Sequence, residues 1–253
     1  MSFLESIFLG ALQGFTEFLP ISSSGHLFLS EVLFGFKPNL NFEILLHIGS
    51  LVAVIAIYWS DIWKILRGMW RVKEEKEEGI LGWKLALATL VTIPVAIFLE
   101  KQTDIFFSMW VLGVSFIATG ICILLAEKFR PSRTRPFTWG MAVILGLVQG
   151  IAALPALSRS GLTIAFLIFA GVERKKALEI SFLLSIPAII GAFIFSLSDM
   201  GRMAFGFNEI IATIFSCAVA FATIRWMLSL IKKGWIWFAP YCVLVGIAVL
   251  IFA

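Results

Sequence analysis

Apolar residues occur along this chain in long blocks separated by short polar segments. Six blocks, at about 42–59, 80–99, 105–126, 178–198, 210–231 and 235–253, approach or exceed the roughly 20 residues that an α-helix needs to cross a bilayer. Runs such as Leu112 to Ala126 are apolar at consecutive positions, whereas the strands of a membrane β-barrel alternate apolar and polar residues. Two further apolar stretches, 1–35 and 137–171, are each interrupted, at Pro20 to Gly25 and at Leu154 to Ser160. The halves 137–153 and 161–171 are short for full spans. The pattern predicts an all-α integral membrane protein with six full transmembrane helices and two re-entrant helical hairpins.

Composition agrees. The chain is 60% hydrophobic and 14% charged, against roughly 25% charged in soluble domains, and its mean hydropathy is +0.99. The formal charge of +4 is not a nucleic-acid signature, because the basic residues sit in short loops between apolar blocks. Cys122, Cys217 and Cys242 all lie in apolar stretches and read as small core residues. The N-terminal run lacks a basic region and is interrupted by Gln13 and Glu17, unlike a cleavable signal peptide.

Charge then orients the blocks. Loop 60–79 carries Lys64, Arg67, Arg71, Lys73 and Lys76, and loop 127–136 carries Lys128, Arg130, Arg133 and Arg135. Segment 172–177 carries Arg174, Lys175 and Lys176, and Lys232 and Lys233 follow the fifth block. Loops 36–41, 100–104 and 199–209 hold only Lys37, Lys101 and Arg202. The positive-inside rule places the first group in the cytoplasm and the second outside. The segment between 127–136 and 172–177 must therefore enter the membrane and return to the same side. By the same logic, 1–35 is a hairpin entering from outside, and both termini of this cell-membrane protein are expected outside. Each half is a hairpin followed by three spans, and an odd number inverts the second half. The chain reads as one membrane domain: repeat 1 over about 1–126, a basic cytoplasmic linker over 127–136, and repeat 2 over about 137–253.

The two interruptions are copies of one another. Gln13-Gly14, Pro20 and Ser22-Ser23-Ser24-Gly25-His26 are followed by Gln149-Gly150, Pro155 and Ser158-Arg159-Ser160-Gly161. The offset is 136, with only the proline slipping by one, and Glu43-Ile44 matches Glu179-Ile180 at the same offset. Polar turns are expensive in lipid and call for a function. Inverted repeats with broken helices bring such tips together near the midplane, where they form one site.

The two tips together supply phosphate chemistry. Arg159 offers a planar fork of donors that matches phosphate oxygens. Ser158, Ser160 and Thr163 add hydroxyls, and a helix starting at Gly161 would turn free amides toward an anion. The first tip brings Glu17, Ser22, Ser23, Ser24, Gly25 and His26. Glu17 is a candidate metal ligand or general base, and a divalent cation such as Mg2+ or Ca2+ suits a diphosphate. Ser23 and His26 are candidate nucleophiles, or His26 shuttles protons. Structural readings stand beside these. Serine and glycine at a helix break cap half-helices and permit close packing. Arg159 can simply pair with Glu17, and Glu17 with His26. All of these being structural at once is disfavoured, because burying so many polar groups is costly. His47 reads as a hydrogen-bonded structural histidine, and Glu43 and Glu179 as anchors for packing or the interface. Trp59, Trp63, Trp70, Trp83 and Trp139 fit an aromatic belt.

Gly14-Phe15-Thr16-Glu17-Phe18-Leu19-Pro20-Ile21-Ser22-Ser23-Ser24-Gly25-His26 resembles the signature of the undecaprenyl-diphosphate phosphatase family, also known for bacitracin resistance. Pro155-Ala156-Leu157-Ser158-Arg159-Ser160-Gly161-Leu162-Thr163 is similar to its second signature, Pro-Gly-x-Ser-Arg-Ser-Gly-x-Thr. The resemblance covers the whole chain. It implies a membrane hydrolase that removes one phosphate from a polyprenyl diphosphate, outside the cytoplasmic face, and so regenerates the lipid carrier for cell-wall glycans. Glu17, Ser23, His26 and Arg159 match the residues that the family links to metal binding, nucleophilic attack and diphosphate binding. Expected partners are the lipid substrate, membrane lipids and a second copy of the chain, with no nucleic acid. Two departures stand out. Gln13 occupies the first acidic position of the family's Glu-x-x-x-Glu pattern, which makes it a weak metal ligand. Ala156 replaces a glycine, and would carry strain if that position needs positive φ. A lipid phosphatase of the acid-phosphatase class also uses Ser-Gly-His, but needs a later histidine, and no histidine follows His47. A flippase or transporter for the lipid carrier shares the repeat architecture and is the alternative function.

Overall fold

The computed structural model describes residues 2–35, 40–70, 76–100, 108–196, 206–231 and 234–253. Among these residues there are α-helices and one 3₁₀ turn, and no strand. In chain order the helices are α1 (Phe3–Thr16), α2 (Ser23–Phe34), α3 (Leu40–Ile57), α4 (Trp59–Trp70), α5 (Lys76–Glu100) and α6 (Met109–Lys128). They continue with α7 (Trp139–Ile151), α8 (Arg159–Phe169), α9 (Arg174–Ser196), α10 (Phe207–Leu230) and α11 (Phe238–Ile251), the last preceded by the 3₁₀ turn Trp235–Trp237. Lys37, Arg71, Lys73, Lys101, Arg202, Lys232 and Lys233, which entered the charge argument, lie outside the described residues.

Four helices, α5, α6, α9 and α10, are long and apolar enough to cross a membrane, and α3 with α4 makes a fifth if the bent pair counts as one span. This is a multi-pass membrane protein. The six apolar blocks map onto the helices with two differences. The first block does not end in a loop: α3 turns by 76° into α4. In α4, Ile65 and Gly68 are buried while Trp59, Trp63, Leu66 and Trp70 form one exposed stripe. Gly82 of α5 allows the approach, since a Cβ there would sit 2.6 Å from the Met69 sulfur. The last block opens in the 3₁₀ turn, so its apolar helical stretch, Trp235–Ile251, is shorter than the four long helices.

Two helix pairs are broken at their middles, α1 with α2 and α7 with α8. Their first members pack alike. Gly10 and Gly14 of α1 lie against the backbone of α10, and a Cβ at Gly14 would stand 2.8 Å from the Ala220 nitrogen. Gly146 and Gly150 of α7 lie against α5, and a Cβ at Gly150 would stand 2.6 Å from Cβ of Val95. Small residues four apart let helices approach closely, which is how helices adhere in lipid, where burial of apolar surface gives no drive. The turn after α1 is held down by Phe18, which is fully buried edge-to-face on Phe182 of α9, with ring centroids 5.0 Å apart. These contacts deliver both breaks to the interior.

Candidate active site

The first break begins where α1 runs out. Glu17 caps α1, its N–H bonding the Gln13 carbonyl at 2.9 Å. Gln13 and Glu17 are one turn apart, and the Gln13 Nε2 donates to Glu17 Oε2 at 2.9 Å. The chain then turns through Pro20 and Ile21 to Ser22, which has φ 71. With ψ 101 it lies outside the left-handed helical region, and a serine there costs about 1–3 kcal/mol. Its hydroxyl accepts the Gly25 N–H at 3.1 Å, which starts α2 at Ser23. Gly25 has no room for a side chain, because a Cβ would lie 2.7 Å from the Phe116 ring.

The second break repeats this construction. Ser158 accepts the Gly161 N–H at 3.0 Å and starts α8 at Arg159, two residues before the start expected at Gly161. The Gly161 amide is therefore spent on the cap and does not face an anion. Ala156 has φ 63, so the condition under which a residue in place of that glycine carries strain is met. The Ser22 and Ser24 hydroxyls are 3.5 Å apart, and those of Ser158 and Ser160 are 3.3 Å apart.

The breaks meet. The Ser160 hydroxyl donates to the Leu19 carbonyl at 2.7 Å. The Arg159 guanidinium donates to Glu17 Oε1 in an ion pair. Ser23 donates to the other carboxylate oxygen, Oε2, at 2.7 Å. His47 of α3 completes the ring, with Nδ1 3.2 Å from Glu17 Oε2 and 2.8 Å from Gln13 Nε2. A proton on Nδ1 pairs it with Glu17; a lone pair there accepts the second Gln13 N–H. In both cases Gln13 Oε1 stays buried with no hydrogen-bond partner. The Glu17 side chain is 3% exposed and that of Arg159 18%, so the carboxylate is enclosed and the guanidinium is reachable.

His26 turns away from this cluster. Its Nδ1 is 2.7 Å from the Ser22 carbonyl and its Nε2 2.7 Å from the Tyr241 hydroxyl of α11. The other predicted residues divide. Ser24 is exposed and Ser23 partly so. Ser22 and Ser158 are caps, Ser160 ties the tips, and Thr163 bonds the Arg159 and Ser160 carbonyls and Ser181. Gly25 and Gly161 are filled in by neighbours. His47, Tyr241 and Thr119, whose hydroxyl accepts the Ser158 N–H at 3.2 Å, join the site without having been singled out for it. Only the scarcity of histidine marked His47.

A serine hydroxyl bonded to a carboxylate has the arrangement of a nucleophile beside a base. An adjacent guanidinium fork suits phosphate oxygens. No group of three or more His, Cys, Asp and Glu side chains is arranged for a metal among the described residues. A hard cation that takes further oxygens from a phosphate needs fewer protein ligands. The Glu17 carboxylate and the unpartnered Gln13 oxygen are donors of that kind.

The fold and this cluster define a class: a multi-pass helical membrane protein with a polar site built where two broken helix pairs meet. The chain belongs to the bacitracin resistance protein BacA family, whose family model matches residues 6–248. It is similar to the undecaprenyl-diphosphatase of Desulfatibacillum aliphaticivorans, 37% identical over 273 residues and 99% of each chain. It is also 37% identical to undecaprenyl-diphosphatase 1 of Shouchella clausii, over 100% of this chain and 97% of the relative. The undecaprenyl-diphosphatase of Carboxydothermus hydrogenoformans is 35% identical over 99% of this chain and 97% of its own length.

Proposed function

We propose that this protein is a membrane phosphatase that hydrolyses undecaprenyl diphosphate, or a similar polyprenyl diphosphate, to the monophosphate and inorganic phosphate. It thereby recycles the lipid carrier of cell-wall glycan synthesis and confers bacitracin resistance. The observation that carries the reading is the convergence of Ser23 from one break and Arg159 from the other on the Glu17 carboxylate. An entering diphosphate competes with Glu17 for the Arg159 fork. The carboxylate then keeps Ser23, Gln13 and His47 at Oε2. The Ser23 oxygen attacks the terminal phosphorus, its proton passes to Glu17, and the bond from phosphorus to the bridging oxygen breaks. The lipid monophosphate leaves with the bridging oxygen. Water next attacks the phosphoserine, the bond to Ser23 breaks, and Ser23 recovers its proton from Glu17. His26, one helical turn beyond Ser23, would accept the proton of the attacking water at Nε2 once that nitrogen is released from the Tyr241 hydroxyl and the ring is turned to the site. Arg159 balances charge on the transferring phosphoryl group throughout.

A divalent cation, Mg2+ or Ca2+, fits the donors present, and Glu17 and Gln13 would hold it. When bound it would neutralise charge on the diphosphate oxygens. The prenyl tail would lie along apolar helix faces and leave sideways into lipid. The same reading makes the chain one domain of two inverted repeats, about 1–126 and 137–253, joined by the linker 127–136. It has six spans, two re-entrant hairpins and both termini outside the cell membrane. The matched glycine contacts of α1 on α10 and of α7 on α5, at the offset of the sequence repeat, support it.

The test is phosphate release from undecaprenyl diphosphate by the purified protein with Mg2+ or Ca2+. Release is expected. No release with either cation, while the lipid still crosses vesicle bilayers, would turn the reading to a lipid-carrier transporter.

A further inference from the structure

We propose that Tyr241 is a positioning residue for His26: it fixes the imidazole with its proton on Nδ1 and with Nε2 in the proton-accepting form. The proposal rests on the reading of His26 as the proton acceptor of the second step.

The partners of the ring dictate the tautomer. Nδ1 is 2.7 Å from the carbonyl oxygen of Ser22, which can only accept, so Nδ1 carries the hydrogen. In the neutral ring Nε2 then bears the lone pair, and the Tyr241 hydroxyl, 2.7 Å away, donates to it. The rings are also locked in orientation. Those of His26 and Tyr241 stack at 5.8 Å with an interplanar angle of 5°, and the edge of Phe116 closes the other side at 5.2 Å and 84°.

The phenol is itself placed by backbone contacts. α11 lies against α6, where a Cβ at Gly246 would stand 2.6 Å from the Gly113 carbonyl oxygen. The next residue, Cys242, is buried with its sulfur 3.4 Å from the Pro20 carbonyl, which ties α11 to the first break. Tyr241 is 41% exposed, so the phenol can leave Nε2 without unpacking a core. The Ser22 carbonyl thus sets the protonation site, and the last helix of the chain holds the remaining nitrogen of a histidine in the second helix.

The chain has two histidines, so 15N NMR of the labelled imidazoles in the intact protein is readily assigned with His26→Gln as the reference. Wild type is expected to give His26 as the neutral Nδ1–H form with a hydrogen-bonded Nε2. Tyr241→Phe keeps the stacked ring and removes the donor, and its Nε2 resonance is expected to move toward that of an unbonded imine nitrogen. In phosphate release, Tyr241→Phe is expected to lower kcat about tenfold with KM little changed, and to have no further effect in the His26→Gln background. An Nε2–H tautomer in wild type, or an unshifted resonance in Tyr241→Phe, overturns the proposal. So does wild-type kcat in Tyr241→Phe when His26→Gln is impaired, or the same fold loss in both backgrounds. Full turnover in His26→Gln alone overturns it from the other side, by removing the base role beneath it.

Discussion

Ser23 and Arg159 hold the same place in the two breaks, each the first helical residue behind a serine cap, and both reach one carboxylate, that of Glu17. Equivalent backbone positions thus present a nucleophile and a cation to a shared acid. Replacing Arg159 with Ala is expected to lower phosphate release by about 10²–10³, the usual loss when one charge-stabilising donor is removed. Arg159→Lys should recover only part, since a point charge replaces a fork. Ser23→Ala should abolish release, and rapid quenching of wild type should trap phosphate on Ser23. A phosphoenzyme on another residue would overturn the assignment.

Glu17→Gln keeps the size and hydrogen-bonding capacity of the side chain and removes its charge and basicity. Release is expected to fall by about 10²–10⁴, the range of a general base. If Glu17 and Gln13 hold the cation, Gln13→Ala should raise the Mg2+ or Ca2+ concentration needed for half-maximal release and leave turnover at saturating metal near wild type. A titration of release against metal reads both values. Unchanged metal dependence would remove Gln13 from the site.

Ala156 is nearly fully buried at φ 63, and its substitutions should reveal opposing terms of similar size. Glycine would relieve about 1–2 kcal/mol of backbone strain. It would also lose a buried methyl worth about 0.8 kcal/mol and release more unfolded-chain entropy, about 0.4–1 kcal/mol. The expectation for Ala156→Gly is a melting temperature within a few degrees of wild type. Ala156→Val, β-branched where φ is positive, should melt clearly lower. Thermal unfolding in detergent measures both.

Gly14 and Gly140 make a matched test of helix contact. A Cβ at Gly14 meets the α10 backbone, whereas one at Gly140 meets nothing within 4 Å. Gly14→Ala is expected to lower the melting temperature and Gly140→Ala to leave it equal or slightly higher, since alanine is the better helix former by about 1 kcal/mol. Equal effects at the two positions would show that the close approach of α1 to α10 contributes little.

The breaks were legible in the sequence because polar residues in apolar surroundings are conspicuous, and Ala156 was legible because it stands where its family carries glycine. The Glu17–Arg159 pair is legible as an acid and a base that lipid would drive together. The use of each hydroxyl was not legible. Ser22 and Ser23 are adjacent and chemically identical, yet one caps a helix and the other meets the acid, and a single backbone φ separates them. His47 could not be placed beside Glu17 without knowing how α3 turns against its neighbours, and that is decided by Gly49 and Ser216 packing between α3 and α10. Tyr241 reaches His26 across 215 positions of chain. The helix α4 falls, but for Trp59, within the charged loop 60–79, because its basic residues interrupt the apolar run even though its tryptophans mark an interface.

The bond from Ser160 to the Leu19 carbonyl constrains how anything can come and go. It ties the start of α8 to the turn after α1, beside the Arg159–Glu17 pair. A pump that exposes its cargo first to one side and then to the other has to part the two elements that hold the cargo. Here those elements are joined by that bond and by the Arg159–Glu17 pair, so a transport cycle would have to break both. A lipid headgroup that reaches the partly exposed Arg159 meets a site held from both breaks, which suits a catalyst that handles only the end of a long molecule.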